Sequence, residues 1–255
     1  MCGRFVITSP PEALRQIFGF VEQPNFPPRH NIAPTQPVPV IILENGVRHF
    51  RLMRWGFVPS WVKDPRKITL LINARSETVV EKPAFKNAIR RRRCLIPADG
   101  YYEWQAGADG KRPYFIHRRD GKPFGLAGVA ESWMGPNGEE LDTVAVVTAP
   151  ASADLSVLHH RVPVTLMPVD FERWLDCRED DVAPVLHLLV GPEEGEFVWH
   201  AVSRRVNSAN NDDAQLLLPI SDEERAAEEA PKPAKRTAAK KPPPPSSDDG
   251  QGSLF

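Results

Sequence analysis

Cysteine is scarce in this chain, and long hydrophobic runs are absent from it. The 255 residues contain only 3 Cys, at positions 2, 94 and 177, with no C-x-x-C pair. This number and spacing argue against a disulfide framework and against a Cys-rich zinc site. No run approaches the roughly 18 apolar residues of a membrane span, and the first residues lack the basic start and apolar stretch of a signal peptide. We therefore expect a cytoplasmic protein that uses no membrane, no metal and no cofactor.

Net charge is also nearly absent. The chain has 32 Lys and Arg against 33 Asp and Glu, a formal net charge of −1. Residues 221–255 hold 6 basic and 7 acidic residues, which leaves 26 of each in residues 1–220. Any basic surface must therefore be local. The clearest basic segment is 82–93, with six basic residues and no acid, and it fits a solvated helix face and a phosphate contact equally well.

The composition changes abruptly after Ile220. Residues 221–253 contain no Val, Ile, Leu, Met, Phe, Trp or Tyr, and four prolines stand together at 242–245. Such a segment cannot bury enough apolar surface to offset its ordering entropy. The composition predicts a domain over 1–220 and a disordered Pro-, Lys- and Glu-rich tail over 221–255.

The last five residues, 251–255, restore two large apolar side chains at the end of that tail. They resemble the Q-x-x-L-F peptides that bind the bacterial replication sliding clamp. In that interpretation Gln251 makes polar contacts, while Leu254 and Phe255 fill an apolar pocket. The alternative interpretation is an incidental terminus, because five residues carry little information.

Strand patterns dominate the body of the sequence. Two pairs of segments are each separated by a turn that contains glycine, and a further β-branched segment follows. These strands are predicted over 38–43 and 47–53 around Asn45-Gly46, over 114–118 and 124–130 around Asp120-Gly121, and over 141–148. Helices are predicted after Ser9, over 83–93 and over 169–175. The pattern favours one α+β domain around a curved, mostly antiparallel sheet or barrel with peripheral helices.

Cys2 is the most informative single residue. Initiator methionine is generally removed before a small residue, so we expect a mature chain that begins with a free amine beside a thiol. Their reference pKa values, ~8 and ~8.5, leave some of each group nucleophilic near neutral pH. An aldehyde condenses with such an aminothiol to an imine, and the sulfur then closes a thiazolidine ring. The alternative interpretation is a small buried cysteine.

Other polar residues strengthen the chemical interpretation. Asn73 follows an apolar run at 68–72, so it stands where a strand ends. Glu103 lies between two aromatic residues, an environment suited to acid–base chemistry, although it also fits a surface carboxylate on an alternating strand. His159 and His160 are adjacent, and in a strand they would point to opposite faces, so that only one enters a given pocket.

Several separate sequence blocks carry a family resemblance. They are 1–5 (MCGRF), 31–34 (NIAP), 54–61 (RWGFVPSW), 73–77 (NARSE), 102–104 (YEW), 159–163 (HHRVP) and 202–207 (VSRRVN). Their order and spacing resemble the SRAP family, the SOS-response-associated peptidase or abasic-site-processing proteins. The resemblance spans 2–220 and leaves the tail outside.

The resemblance implies a specific activity on single-stranded DNA. Members of the family capture the ring-opened aldehyde of an abasic site as a thiazolidine crosslink, which protects the lesion. By resemblance, Cys2 is the crosslinked nucleophile, Asn73 holds the N-terminal residue and the sugar, and Arg75 grips a phosphate. Glu103 moves protons during imine formation, and His159 assists opening of the sugar ring.

The resemblance also implies self-removal of Met1 by the thiol of the next residue, and further DNA contacts. Arg4, Trp55, Trp61 and Arg161 are the predicted wall, stacking or phosphate-binding residues. We expect a monomer associated with the nucleoid, whose partner is single-stranded DNA and whose tail peptide binds the clamp.

Two other functions fit the same residues. One is an N-terminal-nucleophile amidohydrolase or protease, in which Cys2 attacks external amides with its own amine as the base. The other is a noncatalytic single-stranded DNA-binding module that is recruited through its tail.

Overall fold

Two sheets organise the part of the chain that the computed structural model describes, residues 2–107 and 110–229. The strands are β1 (Arg4–Ile7), β2 (Arg29–Ile32), β3 (Pro37–Glu44), β4 (Val47–Trp55), β5 (Asn73–Arg75), β6 (Arg93–Ala98), β7 (Gly100–Gly107), β8 (Gly110–Arg118), β9 (Phe124–Met134), β10 (Glu140–Pro150), β11 (Arg161–Pro163), β12 (Thr165–Leu166) and β13 (Phe197–Ala201). The first sheet has the order β13-β8-β7-β1-β2. The second has the order β11-β10-β4-β3-β6-β9-β12, with β5 beside β10.

The second sheet closes on itself. Because β9 pairs with β10 as well as with β6, the strands β3, β4, β10, β9 and β6 form a closed barrel. Only the pairings of β10 with β4 and with β5 are parallel among the described ladders. The predicted α+β domain around a curved, mostly antiparallel barrel is confirmed.

The two predicted hairpins have different outcomes. Strands β3 and β4 form the predicted hairpin, and Asn45 (φ 51°) and Gly46 (φ 79°) supply the two positive φ angles that its tight turn needs. Strands β8 and β9 do not pair: β8 lies between β7 and β13, whereas β9 lies in the barrel. The second hairpin prediction was therefore wrong, because the Asp120-Gly121 turn carries the chain from one sheet to the other.

Helices are short and peripheral. They are α1 (Pro11–Phe18), α2 (Ala88–Arg91), α3 (Ala153–Ser156), α4 (Pro168–Leu175) and α5 (Asp222–Glu229). Helices α1 and α4 confirm two predictions, and the Phe18 and Phe171 rings stack at 4.9 Å between them. Ser9 does not cap α1, because its hydroxyl donates to Asp99 Oδ1 at 2.5 Å instead. The predicted helix over 83–93 shrinks to α2, and β6 begins at Arg93.

The two faces of the first sheet pack against different partners. Phe5 and Tyr101 lie on the face that joins the main core with the barrel. Val6 and Tyr102 lie on the opposite face, in a second cluster with residues from the C-terminal part of the domain. This alternation along β1 and β7 decides which side chains reach the site described below.

Helix α5 lies just beyond the predicted domain boundary at 220. Its Glu228 carboxylate accepts hydrogen bonds from the Ser203 hydroxyl at 3.0 Å and from the Arg204 amide at 2.7 Å. The folded part therefore continues into the segment that was predicted to be a disordered tail. Residues 230–255, including the clamp-like peptide at 251–255, lie outside the described residues. None of the described helices has the length and apolar character that crossing a membrane requires.

Candidate active site at the seam between the two sheets

Cys2 lies immediately before β1 and is fully buried. Its Sγ donates a weak hydrogen bond to the Arg4 carbonyl oxygen at 3.9 Å. Its own carbonyl oxygen accepts a hydrogen bond from Asn73 Nδ2 at 2.9 Å. Since Asn73 belongs to the barrel sheet and Cys2 leads into the other sheet, this bond joins the two sheets. We name the region around it the seam.

Strand β5 presents Asn73 and Arg75 on one face. The strand pairs in parallel with β10, and Ala74 points the other way, where it is fully buried. The Asn73 Oδ1 atom is buried and has no hydrogen-bond partner among the described residues. The Arg75 side chain is exposed. A short strand therefore supplies one group that holds Cys2 and one cation directed to solvent.

Glu103 enters the seam from β7. It shares a strand face with Tyr101, and it is buried, with 5% of its surface exposed. Its Oε1 accepts a hydrogen bond from the Trp104 amide at 3.3 Å. The charge of Glu103 raises the pKa of the Cys2 thiol and also acts on His159. These effects place one carboxylate within electrostatic reach of both groups, and they contradict the interpretation of Glu103 as a surface residue.

The two histidines lie in the loop between α3 and β11. His159 Nδ1 lies 3.0 Å from the Arg161 amide nitrogen and 3.3 Å from the Arg161 carbonyl oxygen, so the backbone of Arg161 contacts this ring nitrogen. The His159 and His160 rings stack with centroids 4.2 Å apart. The prediction that they point to opposite faces of a strand was wrong, because neither residue is in a strand. His159 is half-buried and His160 is exposed.

Burial sets the protonation states in the seam. Desolvation raises the pKa of the Cys2 thiol to about 12, and the charge of Glu103 adds to the effect. Desolvation lowers the pKa of His159, although Glu103 opposes that shift. At neutral pH the site therefore holds a protonated thiol and a neutral imidazole. A proton acceptor must act before the sulfur becomes a strong nucleophile.

The two tryptophans predicted to contact DNA have different environments. Trp55 is fully buried, its Nε1 donates to the Ile72 carbonyl at 3.0 Å, and its ring packs edge-on against Phe5 at 5.0 Å. The prediction of Trp55 as a stacking residue was wrong, because it is part of the core. Trp61 lies in the loop before β5 with 66% of its surface exposed, so its ring is accessible.

Two of the predicted cations are engaged in internal contacts. Arg4 donates to Asn31 Oδ1 at 2.8 Å and to the Val206 and Asn207 carbonyls at 2.8 and 3.0 Å. Arg161 is buried and forms a two-pronged ion pair with Glu77, with N···O distances of 2.6 and 3.0 Å. Both side chains stabilise the domain through these internal contacts, and their DNA contacts stay predictions.

The basic segment 82–93 is partly structural. Arg91 pairs with Asp180 at 2.7 Å, and Arg92 pairs with the buried Glu131 at 2.6 Å. Arg93 is buried, and it donates to the Trp174 carbonyl at 2.6 Å. Three of the six basic residues in segment 82–93 therefore stabilise the domain, while Lys82 and Lys86 are exposed.

Two residues at the seam were not singled out from the sequence. Glu77 neutralises Arg161, and Arg161 lowers the pKa of Glu77 to about 2 through its hydrogen bonds. Tyr101 is buried on the same face as Glu103. The signal for Glu77 was its place in the same sequence block as Asn73 and Arg75. For Tyr101 the signal was the two-residue spacing from Glu103.

No group of three or more potential metal ligands occurs within the described ranges.

The chain is similar in sequence to several abasic site processing proteins. The chain is 32% identical over 221 residues to the abasic site processing protein YoqW of Bacillus subtilis, covering 85% of this chain and 99% of the relative. It is 32% identical over 263 residues to the abasic site processing protein HMCES of Gallus gallus, covering 86% and 78%. It is 30% identical over 227 residues to the abasic site processing protein YedK of Escherichia coli, covering 86% and 100%.

Solved structures and a family model extend the comparison. The crystal structure of a phage-related protein from Bordetella bronchiseptica is 30% identical with a TM-score of 0.64, covering 79% of this chain and 94% of that one. A Bacteroides thetaiotaomicron protein, 24% identical with a TM-score of 0.75 over 86% of this chain and 100% of that one, shares the fold. Residues 1–209 match the family described as SOS response associated peptidase. The chain belongs to the SOS response associated peptidase (SRAP) family.

Proposed function

We propose that this protein processes abasic sites in single-stranded DNA by forming a covalent thiazolidine crosslink through Cys2 after removal of Met1. The observation that carries the proposal is the setting of Cys2. It is buried at the start of β1, its carbonyl is held by Asn73, and its thiol lies within the field of Glu103. Family membership and the names of the relatives support the same substrate.

The proposed reaction balances as a condensation. The amine nitrogen of Cys2 attacks the aldehyde carbon C1′ of the ring-opened sugar and gives a carbinolamine. The carbinolamine hydroxyl takes up a proton and leaves as water, which leaves an imine. The thiol then adds across the C=N bond, so that a C–S bond forms and the sulfur proton ends on nitrogen. One aldehyde and one aminothiol thus give one thiazolidine and one water.

Glu103 is the proposed proton carrier of this sequence. The amine must lose a proton to attack, the hydroxyl must gain one to leave, and the thiol must lose one to close the ring. The high pKa of the Cys2 thiol, about 12, makes an adjacent acceptor necessary for the last step. A carboxylate that acts electrostatically on both Cys2 and His159 meets this need.

His159 is proposed to assist opening of the sugar ring. Its Nδ1 contacts the backbone of Arg161, so we assign the contact with the sugar to Nε2. Burial lowers the pKa of His159, so the ring is neutral at pH 7 and keeps one N–H that can donate a hydrogen bond. The Arg161–Glu77 pair fixes the strand that begins beside this histidine.

Two exposed side chains fit the path of the DNA strand. Arg75 lies on the same face of β5 as Asn73, so a phosphate beside the abasic sugar lies within its reach. Trp61 exposes its ring in the preceding loop, and an exposed aromatic ring binds an unpaired base by stacking. Sequence-independent binding of this kind needs local cations rather than a large net charge.

Self-removal of Met1 is proposed to use the same groups. The Cys2 sulfur belongs to the residue that follows the Met1–Cys2 peptide bond, and its high pKa requires a base, a role that we assign to Glu103 or His159. An intact mass of the purified protein tests this step. Met1 should be absent from the parent protein and retained after Cys2→Ala, whereas retention in the parent would contradict the whole aminothiol mechanism.

The crosslink itself is tested on a denaturing gel. The parent protein should give a shifted adduct with single-stranded DNA that contains an abasic site and none with undamaged DNA. Cys2→Ala should give no stable adduct, because a bare imine reverses without the sulfur. Cys177→Ala is the matched control and should keep the adduct, since Cys177 lies outside the seam. Absence of an adduct together with turnover of an amide substrate would instead favour an N-terminal-nucleophile hydrolase.

We also propose that the terminal peptide docks on the sliding clamp. The support is the sequence of Gln251, Leu254 and Phe255, which lie outside the described residues. Deletion of 251–255 should abolish binding to the purified clamp and leave crosslinking in solution unchanged. Leu254→Ala with Phe255→Ala should do the same, with Ser253→Ala as the control. Clamp binding that survives both changes would contradict this proposal.

A further inference from the structure

Tyr101 has a buried hydroxyl that the proposed mechanism does not use. The residue pairs with Phe5 across β1 and β7, and its side chain is 1% exposed. Its Oη is buried and has no hydrogen-bond partner in the described part of the chain. The adjacent Tyr102 differs, because its Oη donates to the His30 carbonyl at 2.8 Å on the opposite face of the sheet.

An unpartnered buried hydroxyl is unfavourable for folding. A phenylalanine would fill the same volume and would not lose the hydrogen bonds to water that burial removes. Buried hydroxyls of tyrosine usually find a partner for this reason. The structure therefore contains a donor whose acceptor is not supplied by the surrounding protein.

The orphaned donor belongs to the seam. Tyr101 shares its strand face with Glu103, and alternate residues of a strand lie about 6–7 Å apart. It also belongs to the same core cluster as Cys2. Burial raises the pKa of Tyr101 well above its usual range, and the charges of Cys2 and Glu103 raise it further. The phenol therefore stays protonated throughout the useful pH range and keeps a proton that it can donate in a hydrogen bond.

A second orphaned atom belongs to the residue that holds the Cys2 carbonyl. Asn73 Nδ2 donates to the Cys2 carbonyl, which fixes the amide orientation and leaves the buried Oδ1 without a partner among the described residues. One donor and one acceptor around Cys2 thus both lack partners. A small polar molecule with both a hydrogen-bond acceptor and a hydroxyl donor complements this pair, and a ring-opened sugar has both.

We propose that Tyr101 is a further catalytic residue, whose hydroxyl donates a hydrogen bond to the C1′ oxygen of the abasic sugar bound at Cys2. This inference rests on the proposed function. The hydrogen bond from Tyr101 polarises the C=O group while the amine attacks. It is kept when the same oxygen becomes the carbinolamine hydroxyl. Tyr101 itself transfers no proton, and the oxygen leaves as water with protons that Glu103 delivers.

The test compares two isosteric changes on adjacent residues, Tyr101→Phe and Tyr102→Phe. Tyr101→Phe should slow crosslinking roughly 10- to 100-fold, as expected for loss of one donor to a developing oxygen charge. It should leave binding of undamaged single-stranded DNA unchanged, and its Tm should equal or exceed that of the parent. Tyr102→Phe removes a satisfied hydrogen bond, so it should lower Tm and leave the crosslinking rate unchanged.

A second measurement does not depend on crosslinking. The reduced abasic site carries the C1′ hydroxyl but cannot form an imine, and the tetrahydrofuran analogue lacks that hydroxyl. Tyr101→Phe should weaken binding of the reduced site by roughly 2- to 10-fold and leave binding of the analogue unchanged.

The outcomes separate this inference from the proposed function. Crosslinking by the parent together with an unchanged rate in Tyr101→Phe would overturn the inference alone, and would mean that a buried water satisfies the hydroxyl. A lower Tm in Tyr101→Phe would assign the residue a structural role. Absence of crosslinking by the parent would overturn the proposed function, while the binding comparison would still decide whether Tyr101 contacts the sugar oxygen.

Discussion

Cys2 at the seam and Cys94 in the barrel wall are equally buried and differ in what surrounds them. Both side chains are fully inaccessible, and burial raises the pKa of both thiols. Cys94 packs against Gly128, where an added Cβ would lie 2.8 Å from its sulfur. The Asn73 amide donates to the Cys2 carbonyl, and the charge of Glu103 acts on the Cys2 thiol and on the His159 imidazole. The reactivity that we propose for Cys2 therefore depends on the polar groups around its thiol and not on how deeply the thiol is buried.

The seam can bury polar groups because two sheets end against each other there. Asn73 comes from β5, Glu103 from β7 and His159 from the loop before β11. The polar groups gain partners across the junction, such as the bond from Asn73 to Cys2. The barrel wall is built from continuous ladders whose apolar residues are buried on both faces, as Val129 and Val146 are on opposite faces of the β9–β10 pair. A reactive thiol at the seam is therefore supported by groups that the barrel wall cannot offer.

The largest expected effect is that of Glu103→Gln. If Glu103 carries the protons, its loss should slow crosslinking by roughly 10²- to 10³-fold, the usual contribution of a positioned acid–base group. The matched control is Glu131→Gln, which removes a barrel carboxylate that is also 5% exposed and is paired with Arg92. It should lower stability and keep the rate. Single-turnover kinetics on denaturing gels measure both, and equal rates in the two variants would remove Glu103 from the mechanism.

A smaller effect is expected for the two stacked histidines. His159→Ala should slow crosslinking by roughly 10- to 30-fold, because ring opening of the sugar loses its assisting group. His160→Ala removes the stacked, exposed neighbour and should change the rate less than about 2-fold. Pre-equilibrating the sugar toward its ring-opened form should reduce the His159→Ala defect. A defect shared equally by both variants would indicate that the stack, and not the His159 Nε2 atom, matters.

The sequence predicted a local hairpin of the barrel correctly, but it did not predict how distant strands meet at the seam. The Asn45-Gly46 turn fixes a local hairpin through two positive φ angles, and that prediction was confirmed. The Asp120-Gly121 turn has a similar sequence but joins two sheets, because the pairing of β8 and β9 is decided by distant strands. Trp55 was predicted from the family resemblance as a wall or stacking residue, and the sequence did not show that its ring packs against Phe5 in the core.

The same limit applies to the site. Cys2, Asn73, Glu103 and His159 were named from the sequence, but only the pairing of β1 with β7 and of β5 with β10 places them near one another. Long-range register of this kind is not encoded in any single segment. The ion pair between Glu77 and Arg161 was missed for the same reason, since 84 residues separate its members.

Glu77→Gln should affect stability more than chemistry. The hydrogen bonds from Arg161 hold the pKa of Glu77 at about 2, below its unfolded value of about 4.3, so this carboxylate stabilises the fold at pH values above the unfolded pKa. With Glu77 46% exposed, solvent screening limits the loss to about 1–2 kcal/mol at pH 7. The difference from the parent should shrink as the pH falls from about 5 towards 2, because protonated Glu resembles Gln.

Urea denaturation of the parent and the variant between pH 7 and pH 3 measures this dependence. Glu81→Gln changes an exposed carboxylate in the following turn and should give curves that match those of the parent at every pH. A Glu77→Gln difference that stays constant from pH 7 to pH 3 would contradict the assignment to the Arg161 pair.

Cys94→Ala should have the smallest effect, and it tests the contrast between the two cysteines most directly. Replacing a buried thiol by a methyl group leaves a space about one sulfur atom in size, and the cost should be about 1 kcal/mol of unfolding free energy. Crosslinking should keep the parent rate, because no polar group of the seam is changed. Cys2→Ala should cost a similar amount of unfolding free energy, because its thiol is equally buried, but it should give no adduct. If Cys94→Ala also lost the adduct, reactivity would depend on the packing of the barrel, and the local account of the seam would fail.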